Sequence, residues 1–288
     1  MDIQDKSRMD RIWRSDTLVL CGASINAILM LGGLQFLYDN DYCKSIKNFI
    51  GTSSGGILCF LLAIGYTPLE ILQHLMTTQL SDKLSALNLV GMLQGFGATT
   101  YAPLQETLET LTVEKIGYLP TLMNLRDKLG KTFIVCTYDI TEGRRVDLTP
   151  ETHPDMPCMV AMRMSANLPF VFDKYRWGNS YYVDGGLCNN FPIDIGDKIG
   201  ENVLGFNIVS INHKGVSPEE NSSPLSFFYK LLNVPIIENV KNKIVRASDR
   251  CTVITLEDDL KPFFNFDMSP KDKLDMFSSG YKQMRKKQ

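Results

Sequence analysis

Two stretches of the chain, Thr17 to Tyr38 and Asn48 to Leu69, carry no charged residue. Each is long enough to cross a bilayer. Both are broken near their starts by small and polar residues, Cys21-Gly22-Ala23-Ser24 in one and Gly51-Thr52-Ser53-Ser54-Gly55-Gly56 in the other. A strand, a tight turn and a buried helix explain each better than a span. The pattern predicts strands at Thr17–Cys21 and Ile46–Ile50. It predicts helices at Ile25–Tyr38 and Ser54–Ile64, the second stopped by Gly65 and Pro68. Apolar residues on every side place these helices against a sheet.

The alternation continues along the chain. Pro68–Thr78 is amphipathic, and Pro103–Leu111, Thr121–Leu129 and Pro157–Ala166 have helical patterns. Thr132–Tyr138, Ser180–Val183, Asn202–Ile211 and Thr252–Thr255 read as strands, rich in β-branched and aromatic residues. A last helix starts at Ser269-Pro270, as N-cap and first turn. Strands separated by helices predict an α/β fold with a largely parallel sheet. Lys214–Pro224 reads as a loop. The uncharged Leu84–Ala102 segment has two readings, a lid over an acyl-chain entry or a plain core helix. Leu225–Ile237 likewise reads as a lipid-touching surface or a buried helix.

Hydrophobic residues are 44% and charged residues 22% of the 288, ordinary for a globular protein and unlike disorder or a coiled coil. Thirty Lys and Arg against thirty-two Asp and Glu leave a net charge of −2. No field of that size draws nucleic acid, and none is expected as a partner. Seven cysteines without a CxxC pair, and three histidines without metal spacing, predict neither a disulfide framework nor a metal site. The charged stretch through Asp16 lacks the apolar core of a signal peptide. A reducing, cytoplasmic setting is the expectation.

Gly51-Thr52-Ser53-Ser54-Gly55 is a G-x-S-x-G match between a strand and a buried helix, the setting of a nucleophile elbow. Its plainer reading is a helix cap, since serine is a favoured N-cap residue. A serine hydroxyl needs a base. Ser53, Asp184 and His213 follow the chain order of an α/β-hydrolase triad, but only two strands fit before Ser53, fewer than that fold requires. His153 reads as a surface residue and His74 as a partly buried helical one. Asp184 closes an apolar strand and is followed by Gly185-Gly186, which lets another backbone approach. Asp-Gly is also a common turn. A carboxylate serves as base only in a dry pocket that raises its pKa.

These blocks together resemble the patatin-like phospholipase family, lipid acyl hydrolases with a Ser–Asp dyad and no catalytic histidine. Leu18 to Leu37 sits where that family has its glycine-rich oxyanion loop. FIGTSSGGILCFLLAIGYTPLEIL is similar to its elbow block, Arg163 to Phe172 to its S-x-x-x-P-x-x-F segment, and YYVDGGLCNNFPI to its D-G-[GA] block. The resemblance implies a three-layer α/β/α fold with a mostly parallel central sheet. It implies one domain over 1–288, with 1–16 a charged extension, 17–212 the catalytic core and 213–288 completing it. Ser53 is then nucleophile, Asp184 base, and the amides of Gly22, Ala23 and Ser24 the oxyanion hole. Gly51 and Gly55 frame the elbow, and Gly185 and Gly186 the turn beside the base. No metal or cofactor is implied, and the partner is a phospholipid membrane surface, with the protein peripheral on it. The family's G-G-G-x-[KR]-G loop is altered here: only Gly22 survives of its glycines, and Asn26 replaces the basic residue. That alteration leaves a second reading open, a relative that binds lipid or a partner without turnover.

Overall fold

The fold is that of a computed structural model, which describes residues 10–77, 97–211, 224–261 and 268–287, the side chains of 224–230 excepted. It runs β1 (Thr17–Leu20), a 3-10 turn (Ser24–Asn26), α1 (Ala27–Asp39), β2 (Asn48–Thr52), α2 (Ser54–Ala63) and α3 (Pro68–Thr77). Next come α4 (Ala102–Ile116), α5 (Leu122–Leu129), β3 (Thr132–Asp139), β4 (Arg144–Leu148), α6 (Cys158–Ser165), β5 (Tyr175–Trp177) and β6 (Ser180–Asp184). The chain continues through α7 (Gly186–Asn189), α8 (Ile193–Ile199), β7 (Val203–Ser210), α9 (Pro224–Arg246), β8 (Cys251–Asp258) and α10 (Pro270–Lys286).

The expected strands and helices are present, with β2 displaced two residues later than predicted. Its backbone runs through Gly51 and Thr52 because both neighbours hold it, Gly51 opposite Leu20 on one side and Thr52 opposite Cys136 on the other. Four elements were not expected: strands β4 and β5 and helices α7 and α8. Of the two soft segments, 78–96 and 212–223 lie outside the described residues, and His213 with them.

Strands β3, β2, β1, β7 and β8 pair in parallel, and β4, β5 and β6 add antiparallel pairs at the β3 end. The sheet is therefore mixed, with a parallel centre. Helices cover both faces. Gly33 of α1 meets Phe206, Leu256 and Met284 on one side, while Gly196 of α8 meets Val19 and Val203 on the other. Leu18, Leu20, Ile50, Phe133 and Phe206 are all at most 2% exposed between these layers. The charged extension is partly tied in, since Ile12 is buried and Asp16 accepts from the amides of Glu201 and Asn202.

Both uncharged stretches resolve into strand, turn and core helix. Among the described residues no single helix is long and apolar enough to cross a membrane. The bent pair α2 and α3, turned through 120°, passes on composition alone, and α2 is buried along nearly its whole length.

One register detail positions the site. Along the edge of β3 that β4 leaves open, β2 pairs as far as Thr52 opposite Cys136, and β6 takes over with Asp184 opposite Thr137. The two strand ends therefore abut at consecutive positions of β3.

Candidate active site

Ser53 follows Thr52 directly, so it leaves β2 where β6 delivers Asp184. Its backbone sits at φ 55°, ψ −129°, a left-handed conformation unfavourable for a residue with a Cβ. The sharp turn demands it, because the chain must reverse from strand to helix within one residue. Gly51 and Gly55 permit the reversal. A Cβ on Gly51 would lie 2.5 Å from the backbone of Gly55, and one on Gly55 only 2.3 Å from the Cys21 carbonyl. Ser53 is 8% exposed and stands at the N-terminus of α2, whose dipole favours negative charge there.

Asp184 is 2% exposed. Its Oδ1 accepts the Gly186 N–H at 2.7 Å, while its Oδ2 has no aligned hydrogen bond among the described residues. Burial pushes its pKa from 3.8 up to about 6, with the nearby Ser53 hydroxyl and the Gly186 amide pulling the other way. Gly185 donates its N–H to the Ser165 carbonyl at 3.2 Å.

The loop after β1 is strapped to the same place. Gly22 donates its N–H to the Asn190 carbonyl, and the Asn190 side chain returns a bond to the Gly22 carbonyl, both at 2.9 Å. The Gly22 amide is thus engaged inside the fold at rest. The Ala23 amide donates to the Ser54 hydroxyl at 3.0 Å. Ser24, at φ 51°, takes the left-handed turn that a glycine would make without cost. Asn26 is buried and uses both ends of its amide on the backbone of Lys261, each at 2.9 Å.

A cavity of about 880 Å³ opens over these residues, within the range of pockets for small apolar ligands. Ser53, Asp184, Gly22, Ala23, Ser24 and Gly186 form part of its lining. Leu187, Val234, Ile236, Ile237, Val240 and Ile244 supply much of an apolar wall, most of it from α9. The Leu225–Ile237 run is therefore helical from its first residue, with its second half facing the cavity. Neither His74 nor His153 borders it. His74 stands edge-on to the Tyr66 ring at 5.5 Å, and His153 meets the Thr152 hydroxyl at 2.8 Å.

Sequence reasoning missed Asn189, Asn190 and Ser165. The Asn189 carbonyl accepts from the Thr52 hydroxyl at 2.8 Å, and the Ser165 hydroxyl accepts from the Ser53 amide at 3.0 Å. The Asn-Asn pair after Asp184 and the serine of the S-x-x-x-P-x-x-F segment were the available signals.

Comparison with known proteins agrees with this architecture. A family model described as patatin-like phospholipase matches residues 18–197. The chain is 37% identical to the probable lipid hydrolase 463L of Invertebrate iridescent virus 6 over 188 residues, 63% of either chain. It is 25% identical to the uncharacterized protein R571 of Acanthamoeba polyphaga mimivirus, over 93% of this chain and 92% of that one. VipD from Legionella pneumophila shares the fold with a TM-score of 0.54 at 14% identity, over 95% of this chain and 66% of its own. The type III effector ExoU of Pseudomonas aeruginosa does so with a TM-score of 0.52 at 17% identity, over 95% and 53%. The chain therefore matches less than two thirds of the iridescent-virus relative and of both structures. With the family model covering more than half of it, this chain belongs to the patatin-like phospholipase family.

Proposed function

We propose that the protein is a metal-independent lipid acyl hydrolase of phospholipase A type, which cleaves fatty acyl esters of membrane phospholipids with a Ser53–Asp184 dyad. The observation that carries this reading is the meeting of the two strand ends on β3. It puts a strained serine and a buried carboxylate of raised pKa at the floor of one apolar cavity. Ser53 Oγ attacks the acyl carbonyl carbon while Asp184 takes its proton, and the alcohol leaves with that proton. Water then attacks the acyl-enzyme with Asp184 again as base, releasing the fatty acid. The Ala23 amide, held at rest by the Ser54 hydroxyl, passes to the developing oxyanion, with the N-terminus of α2 behind it. The acyl chain lies along the α9 wall, and the protein works peripherally on a cytoplasmic membrane face.

A second reading, lipid binding without turnover, draws on the loop itself. Two of its expected donors, Gly22 and Ala23, are engaged within the protein. Fatty-acid release from mixed phospholipid vesicles in the presence of chelator separates the two readings. The hydrolase reading expects release together with lysophospholipid, abolished by Ser53→Ala and by Asp184→Asn. Absence of release from folded wild-type protein, with vesicles still bound, favours the second.

A further inference from the structure

The S-x-x-x-P-x-x-F segment has no part in the chemistry so far, yet its serine touches the backbone on both sides of the site. Ser165 is fully buried. Its Oγ accepts the Ser53 N–H at 3.0 Å, and its carbonyl accepts the Gly185 N–H at 3.2 Å. Two residues on, the Asn167 carbonyl accepts the Asp184 N–H at 2.9 Å. Asn167 is fixed in turn. Its Nδ2 donates to the Tyr182 carbonyl at 2.7 Å, and its Oδ1 accepts from Arg163. The Arg163 guanidinium is buried and lies 4.5 Å from the Tyr101 ring centroid and 4.9 Å from that of Tyr175.

We propose that Ser165 is a positioning residue for the dyad. It is the acceptor that holds the Ser53 backbone in its left-handed turn and locks that turn to the strand end carrying Asp184. The inference rests on the reading of Ser53 and Asp184 given above. Ser53 has left the sheet, so its amide has no ladder partner. Without the Ser165 hydroxyl it is a buried donor with no acceptor, which a backbone shift would relieve. Such a shift carries the Ser53 Oγ with it, and reacting groups tolerate little displacement. The contact also commits the Ser53 amide away from the cavity, so that amide takes no part in binding the oxyanion.

The test is steady-state hydrolysis of a soluble short-chain p-nitrophenyl ester by wild type and by Ser165→Ala, Ser165→Thr and Ser165→Val, with thermal midpoints for each. Thr and Val have the same shape, and only Thr keeps the acceptor. Ala and Val are expected to lower kcat about 10- to 100-fold, a loss of the size that small misplacements produce, with KM within about twofold. Thr is expected to retain most of kcat. Equal rates for Thr and Val, or wild-type kcat in Ala, would overturn the proposal and leave Ser165 as packing. Should the Val variant not fold, Ala against Thr makes the same comparison. Ser53→Ala run in parallel separates the failures. Hydrolysis that survives it overturns both the dyad reading and this one, whereas hydrolysis that needs Ser53 and ignores Ser165 overturns this one alone.

Discussion

Asp184 binds its proton more tightly in the folded chain than in the unfolded one, because burial pushes its pKa from 3.8 up to about 6. Below about pH 4 both states are protonated and the group costs nothing. Between about pH 4 and about pH 6 the unfolded chain gives up this proton while the folded one keeps it. About 2–3 kcal/mol of stability is lost across that window, and the loss is complete once pH has risen through about 6. Asp184→Asn keeps an acceptor for the Gly186 amide and carries no charge. It is therefore expected to melt about 5 °C or more above wild type at pH 8, with the gap closing by pH 4. Equal melting points at pH 8 would mean that the carboxylate is not held dry. The same proton governs the proposed chemistry: as a base, Asp184 gains competence as pH rises through about 6, in the direction opposite to its effect on stability. Ser53 and Asp184 could be picked out of the sequence because glycine spacing and strand polarity are local signals. The parts played by Ser165 and Asn190 could not, since they consist of hydrogen bonds between segments more than a hundred residues apart.

Among the elements, β1, α1, β2 and α2 follow the apolar pattern closely, because fully buried elements need nothing beyond hydrophobic continuity and turn chemistry. Strands β4 and β5 escape it. RRVDL has three charged residues in five and YRW is only three residues long. Both are held by pairing with neighbours, β4 with β3 and β5 with β6. Helix α9 supplies most of the cavity's apolar wall. It is docked by Lys243, which binds Asn189 and, at 2.7 Å, Asp194; Asp194 in turn pairs with Arg145 at 2.9 Å. This ionic chain fixes the apolar wall in front of Ser53. Ile237→Trp narrows the cavity from that wall. Each buried methylene is worth about 0.8 kcal/mol, so excluding two or three should lower kcat/KM for a long-chain ester about 10- to 50-fold relative to a butyryl ester. An unchanged chain-length profile would place the acyl chain elsewhere.

At the scale of the whole molecule, the parallel centre of the sheet was legible from the alternation of strands and helices, and its mixed end was not. The chain after residue 213 is joined to the rest through β8, which extends the sheet beside β7, and through α10. Glycines let α10 and α1 approach very closely. A Cβ on Gly280 would sit 2.0 Å from the Leu29 carbonyl, and one on Gly32 1.9 Å from that of Phe277. Gly22, Ser53 and Asp184, at or just past the ends of β1, β2 and β6, line the cavity. The central claim, that this convergence makes Ser53 a nucleophile driven by Asp184, is tested most directly by covalent trapping. The intact protein would be treated with a small alkyl phosphonofluoridate, the adduct located by peptide mass spectrometry, and the rate compared with that of Asp184→Asn. The account predicts one adduct, on Ser53, forming at least about 100-fold more slowly in the variant, in keeping with loss of a general base. No adduct on Ser53 in the folded wild type, or equal rates in both proteins, would contradict it.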